Sequence, residues 1–226
     1  MYKIELHLHT DIVSPCGTLH PEEEIEGYKK AGYAGIVVTD HYNRYTAKCI
    51  GVDPAAPGSK LPAFLAGYRA MKELGDREGI RVYYGLEVRF DGSDNDYLLY
   101  DFSEELVADP EKVFRMSPMA FSELARQDGA LFIQAHPFRD HCIPIAPEYV
   151  DGIESVNKHV VHNNRNAMAV AYAERHGLLQ TGGSDCHDRA DIGLGGIDAD
   201  YLPEDEADLA RLIRGRHFTI LGREEL

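Results

Sequence analysis

With 226 residues, 44% of them hydrophobic and 27% charged, the chain has the length and apolar content of one globular domain with a sizeable core. Its 38 acidic against 23 basic residues give a formal charge of −15, which argues against a broad nucleic-acid surface of clustered Lys and Arg but leaves a small phosphorylated partner open. Four cysteines without a CxxC pair read as reduced thiols, and the absence of a signal-like start or a membrane-length apolar run predicts a soluble cytoplasmic protein with no membrane partner.

The first strand-like run, Ile4-Glu5-Leu6-His7-Leu8-His9-Thr10, alternates so that His7 and His9 project to one side, a two-pronged metal grip. The helix that follows is signposted by Pro21, by Glu22, Glu23 and Glu24 at its positive end, and by Lys29-Lys30 before Gly32. Ile36-Val37-Val38-Thr39 then leads into Asp40-His41, and a long connection, Tyr42 to Lys60, precedes a helix predicted over Pro62 to Glu78. Val82 to Leu86 leads into Glu87, followed by a second connection, Asp91 to Tyr97. Further helices are predicted over Pro118 to Gln127, Val160 to His176 and Glu204 to Arg214, with a last strand over His217 to Leu221. Between them, Leu131 to Ala135 leads into His136, and Leu178 to Ser184 leads into Asp185-Cys186-His187.

Roughly seven strand and helix units result, the alternation of an α/β fold with a largely parallel sheet, and no linker or repeat divides residues 1–226. Charged groups are rarely buried unless paired or metal-bound, so five strand ends that each deliver His, Asp or Glu point to one convergent site. A closed barrel gathers its strand C-termini around one mouth, whereas an open sheet concentrates them at a switch point. The spread of these residues over the chain favours the barrel.

In this order, His7-Leu8-His9-Thr10, Thr39-Asp40-His41, Gly85-Leu86-Glu87, Ala135-His136-Pro137 and Ser184-Asp185-Cys186-His187 resemble the motifs of the PHP (polymerase and histidinol phosphatase) family. The resemblance implies a distorted (β/α)7 barrel related to the TIM barrel, with two or three divalent cations, Zn, Mn or Fe, at the strand C-termini. It implies that His7, His9, Glu87 and Asp185 hold one cation, that Glu87 bridges to a second on His136, and that His41 and His187 hold a third. Two positions depart from the family pattern. Cys16 stands where relatives present His or Asp, as a zinc-favouring thiolate or a small loop residue. Tyr97 stands where relatives often have His, leaving Asp96 or Asp94 as a substitute ligand or an ordinary turn carboxylate.

The chemistry implied is hydrolysis of a small phosphomonoester by cation-activated water, with Glu87, Asp185 and His187 as the catalytic residues. Arg139, directly after His136-Pro137-Phe138, is either a phosphate grip or half of a surface pair with Asp140. Asn157 and Arg44 are lesser candidates for substrate contact. Phosphodiester, nucleotide or histidinol-phosphate hydrolysis, and a non-catalytic metal-dependent ligand-binding module, are the competing readings. His141, His159 and His162 read as mouth residues that are solvated or locally hydrogen-bonded, and no feature of the sequence speaks to oligomeric state.

Overall fold

Apolar β-branched runs and capped amphipathic helices alternate along the chain, and the structure, a computed structural model, describes residues 1–225. In order these are β1 (Tyr2–Glu5), α1 (Pro21–Lys30), β2 (Tyr33–Val38), β3 (His41–Tyr42), α2 (Arg44–Cys49), α3 (Leu61–Phe64), α4 (Ala66–Glu78), β4 (Arg81–Arg89) and β5 (Asp96–Tyr100). There follow α5 (Pro110–Phe114), α6 (Pro118–Asp128), β6 (Leu131–Gln134), β7 (Gly152–Asn157), α7 (Asn166–His176), β8 (Leu179–Gly183), β9 (Ile197–Ala199), α8 (Glu206–Gly215) and β10 (Phe218–Ile220). No helix among the described residues is long and apolar enough to cross a membrane.

The strands form one sheet in the order β10-β9-β1-β2-β4-β5-β6-β7-β8, with β3 beside β4. β1-β2-β4 and β6-β7-β8 run parallel, but β5 is antiparallel to both neighbours, and β9 is antiparallel to β1 and β10. The sheet is thus more mixed than the alternation predicts. The cause is local: Phe90 to Asn95 is too short for a crossover helix, so the chain turns back beside β4, as an antiparallel hairpin allows and a parallel pairing does not.

The sheet curls into a nearly closed barrel. Beyond β8 the chain continues alongside the extension of β1, where Leu8 and Cys186 pair in parallel, His9 N–H donates to Cys186 O (3.0 Å) and Cys186 N–H donates to His7 O (3.1 Å). Glycine permits this approach. A Cβ on Gly183 would lie 2.5 Å from His7 Cβ, and one on Gly195 would lie 2.3 Å from the Gly183 carbonyl carbon. Gly195→Ala is therefore expected to destabilise the fold by about 1–3 kcal/mol, the usual cost of overpacking, seen as a lower urea midpoint at unchanged slope.

Several elements differ from expectation. The helix expected from Val160 begins at Asn166, because Asn164 Nδ2 and Asn166 Nδ2 both donate to Asn157 O (3.0 and 2.9 Å) and hold residues 158–165 as a loop. The Tyr42 to Lys60 connection contains α2, capped by Asn43 Oδ1 accepting from Thr46 N–H at 2.8 Å. The helix expected over Pro62 to Glu78 is two helices meeting at Leu65, and the last helix starts after Asp205, which caps it. Asp96 and Tyr97 belong to β5 rather than to a loop. Tyr97 is a core residue, its ring stacked on Phe132 at 4.8 Å.

Candidate metal centre

The alternation of the first strand carries Glu5, His7 and His9 to one face, and all three are fully buried. His7 Nε2 and His9 Nε2 lie 3.1 Å apart. Glu87, near the end of β4, places Oε1 3.2 Å from His7 Nε2 and Oε2 3.3 Å from His9 Nε2. Asp185, just past β8, sets Oδ1 3.3 and 3.2 Å from the same two nitrogens. The remaining oxygen faces serve further imidazoles: His136 Nε2 is 3.2 Å from Glu87 Oε1, and His41 Nδ1 is 2.8 Å from Glu87 Oε2. The structure brings together all seven histidines and carboxylates expected as ligands from the strand ends, since the His187 ring lies tilted 4.5 Å from that of His9.

The outer nitrogens decide what the inner ones can do. His7 Nδ1 is 3.0 Å from Glu154 Oε1, an acceptor, so the proton sits on Nδ1 and Nε2 presents a lone pair. His9 Nδ1 is 3.3 Å from Ser14 Oγ, whose own hydrogen goes to Asp40 Oδ1 at 2.7 Å, which gives His9 the same tautomer. Two imidazole lone pairs and two carboxylates therefore converge. Ligands bound at about 2.1 Å around a tetrahedral cation stand about 3.4 Å apart, close to the spacings found here. Burial, reinforced by His41 and His187, holds the His9 pKa well below the ordinary imidazole range. At His7 burial opposes charge, but Asp185, Glu154 and Glu87 override it and raise its pKa well above that range; the field that favours a proton there equally favours a cation. These residues fit a divalent metal.

Two ligand-bearing positions sit in unusual backbone. His136 has φ 28° and Asp185 φ 53°, left-handed values that non-glycine residues adopt infrequently and that concentrate at functional sites.

Cys16 lies on the outer side, its thiol within hydrogen-bonding reach of both His41 and His187. Burial alone would raise its pKa, but those two imidazoles pull it down to about 6. Asp96 is buried and gripped by Arg89, with Nε 2.6 Å from Oδ1, and its Oδ2 is 3.9 Å from His136 Nε2. It stands close to His41 and Glu87 as well, so it borders the centre while already carrying a guanidinium partner.

Arg139 does not pair with Asp140, which is taken by Arg165. Its Nη2 donates to Asp185 Oδ2 (2.6 Å) and Asn157 Oδ1 (3.0 Å), and its Nε to Asn164 Oδ1 (2.8 Å). Asn157 also donates to Glu154 Oε2 at 2.8 Å. Arg44 is placed apart from this group, bound to Asp91 and Glu111 on the wall of a cleft of about 420 Å³ that His41, Cys16, Tyr45 and Arg89 also line.

Sequence reasoning missed the residues behind the ligands. Glu154 orients His7 and accepts the His136 N–H (3.1 Å), and Glu5 Oε1 accepts the His7 and Ser184 N–H groups (3.0 and 2.9 Å). Their sign was a carboxylate inside an apolar strand, which burial tolerates only when it is satisfied. Glu154→Gln is expected to weaken metal affinity about 10- to 100-fold, the range typical of such outer partners, as measured by competition with a chelating dye.

Fold and site together define an α/β barrel protein with a buried histidine–carboxylate cluster at its strand ends that fits a divalent metal. The chain belongs to the PHP domain family, whose model matches residues 5–183, and a PHP-associated model matches residues 163–217. No curated protein sequence matches it significantly. Among solved structures it is similar to a two-domain protein from Bacteroides vulgatus containing a predicted PHP-like metal-dependent phosphoesterase (TM-score 0.68, 17% identity, 100% of this chain and 67% of that one). It is also similar to an amidohydrolase from Chromobacterium violaceum with bound sulfate (0.57, 17%, 99% and 100%). A third is the lesion-specific endonuclease Q of Pyrococcus furiosus (0.62, 16%, 97% and 57%).

Proposed function

We propose that this protein is a metal-dependent phosphoesterase that hydrolyses a small phosphomonoester. The observation that carries this reading is Asp185, which presents Oδ1 to His7 and His9 and Oδ2 to Arg139. A phosphoryl group at the metal centre would therefore meet a guanidinium fork suited to its oxygens.

His7, His9, Glu87 and Asp185 would hold one divalent cation, Glu87 and His136 a second, and His41 and His187 a third. Cys16 would join the third as a thiolate and favour zinc over manganese or iron. When bound, such cations polarise phosphoryl oxygens and lower the pKa of water to about 7. The chain's own residues do the rest: Glu154 and Ser14 fix the imidazole tautomers, and Arg139, registered by Asn157 and Asn164, orients the phosphate.

The cleft of about 420 Å³ beside His41 suits a small molecule, and the acid excess disfavours a long polyanion. The likeness to an endonuclease supports phosphodiester cleavage as the second reading. Free, exposed Cys16 and Cys49 fit a reducing cytoplasmic setting.

Protein stripped by chelator and reloaded separately with zinc, manganese and iron should hydrolyse phosphomonoesters only when loaded. Turnover confined to diesters would establish the second reading. Metal binding without hydrolysis of any ester in a broad panel would leave a binding module.

A further inference from the structure

We propose that the cleft beside His41 takes the alcohol part of the ester and that Arg89 reads an anionic group on it, so that the preferred substrate is a short phosphomonoester with a second anion, a carboxylate or another phosphate. This rests on the phosphoesterase reading above. The cleft, of about 420 Å³, runs from His41 past Cys16, Asn43, Tyr45, Arg89 and Ser93.

Of the two arginines on its wall, one is spent. Arg44 gives Nε and Nη2 to Asp91 (3.0 and 2.7 Å) and Nη1 to Glu111 (2.7 Å), and its guanidinium carbon lies 5.7 Å from the centre of the Phe114 ring. Arg89 is placed differently. It stands opposite Asp96 across the β4–β5 ladder, with Nε donating to Oδ1 (2.6 Å) and Nη2 to Oδ2, a fork that fixes the plane of the guanidinium. Among the described residues Nη1 meets no acceptor, and with the side chain 43% exposed that edge is open to a ligand.

The fork also sets the reach. Ligand atoms of His41, Glu87 and Asp96 all lie within 4.8 Å of one another, so a guanidinium bonded to Asp96 stands one hydrogen bond outside the cluster. An ester held there by its phosphoryl group needs only a short chain to bring a second group to Nη1. Arg139 approaches the cluster through Asp185 instead, so the two guanidinium groups serve different ends of one substrate.

The carboxylates around the cleft are committed, Asp91 and Glu111 to Arg44 and Asp96 to Arg89. Donors remain. Besides Nη1 there are the Asn43 amide, whose Oδ1 caps α2, and the Ser93 hydroxyl, whose oxygen accepts the Asn95 N–H at 3.1 Å. Such a lining favours a group that only accepts, as an ionised carboxylate or phosphate does, over a hydroxyl that must also place its own hydrogen. The planar guanidinium suits both anions.

The test measures kcat/KM of the metal-loaded protein for three esters of one chain length: glycerol 3-phosphate, 3-phosphoglycerate and propane-1,3-diyl bisphosphate. One or both dianionic esters should be preferred over glycerol 3-phosphate by about 10- to 100-fold, the scale of hydrogen bonds to charged groups, and the better one identifies the anion. Arg89→Lys keeps a positive partner for Asp96 but loses the free edge. In it the preference should fall by about the same factor, through KM rather than kcat, with metal content retained and inhibition by inorganic phosphate as in wild type. Equal use of the three esters by wild type, a preference that survives Arg89→Lys, or a loss that follows loss of metal overturns the assignment. If wild type hydrolyses none of the three and no other phosphomonoester, the phosphoesterase reading itself fails.

Discussion

Glu87→Ala is expected to lose metal and activity together, more heavily than any other single substitution in the centre. One buried carboxylate faces four imidazoles: His7 and His136 at Oε1, and His9 and His41 at Oε2. Burial alone would raise its pKa, but His7, His41 and His136 hold the carboxyl well below its usual range, so it meets the centre as an anion. Truncation removes a carboxylate that His7, His9, His41 and His136 share and leaves those imidazoles without it. The metal-to-protein ratio, measured by elemental mass spectrometry, should drop by at least one ion, and kcat/KM should fall more than the roughly 100-fold that outer partners command. Glu87→Gln separates charge from packing: it keeps the volume, and its metal loss should approach that of alanine. Full metal content in either variant would contradict the assignment of Glu87 as a shared ligand.

The candidate ligands were legible because each sits where an apolar run ends in a polar residue, a local pattern that needs no knowledge of tertiary partners. Asp96 shows the boundary of that legibility. In sequence it is one of several acids near a turn, and only the register of β5 against β4, which sets it opposite Arg89, reveals that a guanidinium claims it. Asp91-Gly92 was an available hairpin signal, and it marks the reversal that makes β5 antiparallel. The partners of Glu154 were illegible for a different reason. A carboxylate's burial is decided by donors distant in sequence, such as His7 for Glu154, and no periodicity within β7 reports them. The loop over residues 158–165 escaped because its end is set by asparagine side chains that bond the Asn157 carbonyl, a contact that no local pattern reports.

Arg139 should behave in the opposite way to Glu87. Its guanidinium neutralises Asp185 Oδ2 from outside the metal centre, and Asp185, which burial alone would push up, is held well below the usual carboxylate range by His7, His9, Arg139 and His187. Removing the arginine leaves Asp185 with more negative charge to offer a cation, so Arg139→Ala should retain its full metal content. What it loses is the phosphate. Hydrogen bonds to charged groups contribute about 1.5–3 kcal/mol, so kcat/KM should fall about 10- to 100-fold, with inorganic phosphate becoming a correspondingly weaker competitive inhibitor. Arg139→Lys keeps the charge but loses the planar fork that also spans Asn157 and Asn164, so it should recover only part of the loss. The two readouts separate the roles. Metal retained with weakened phosphate inhibition marks a substrate contact, whereas metal lost in step with activity would make Arg139 a structural brace for Asp185.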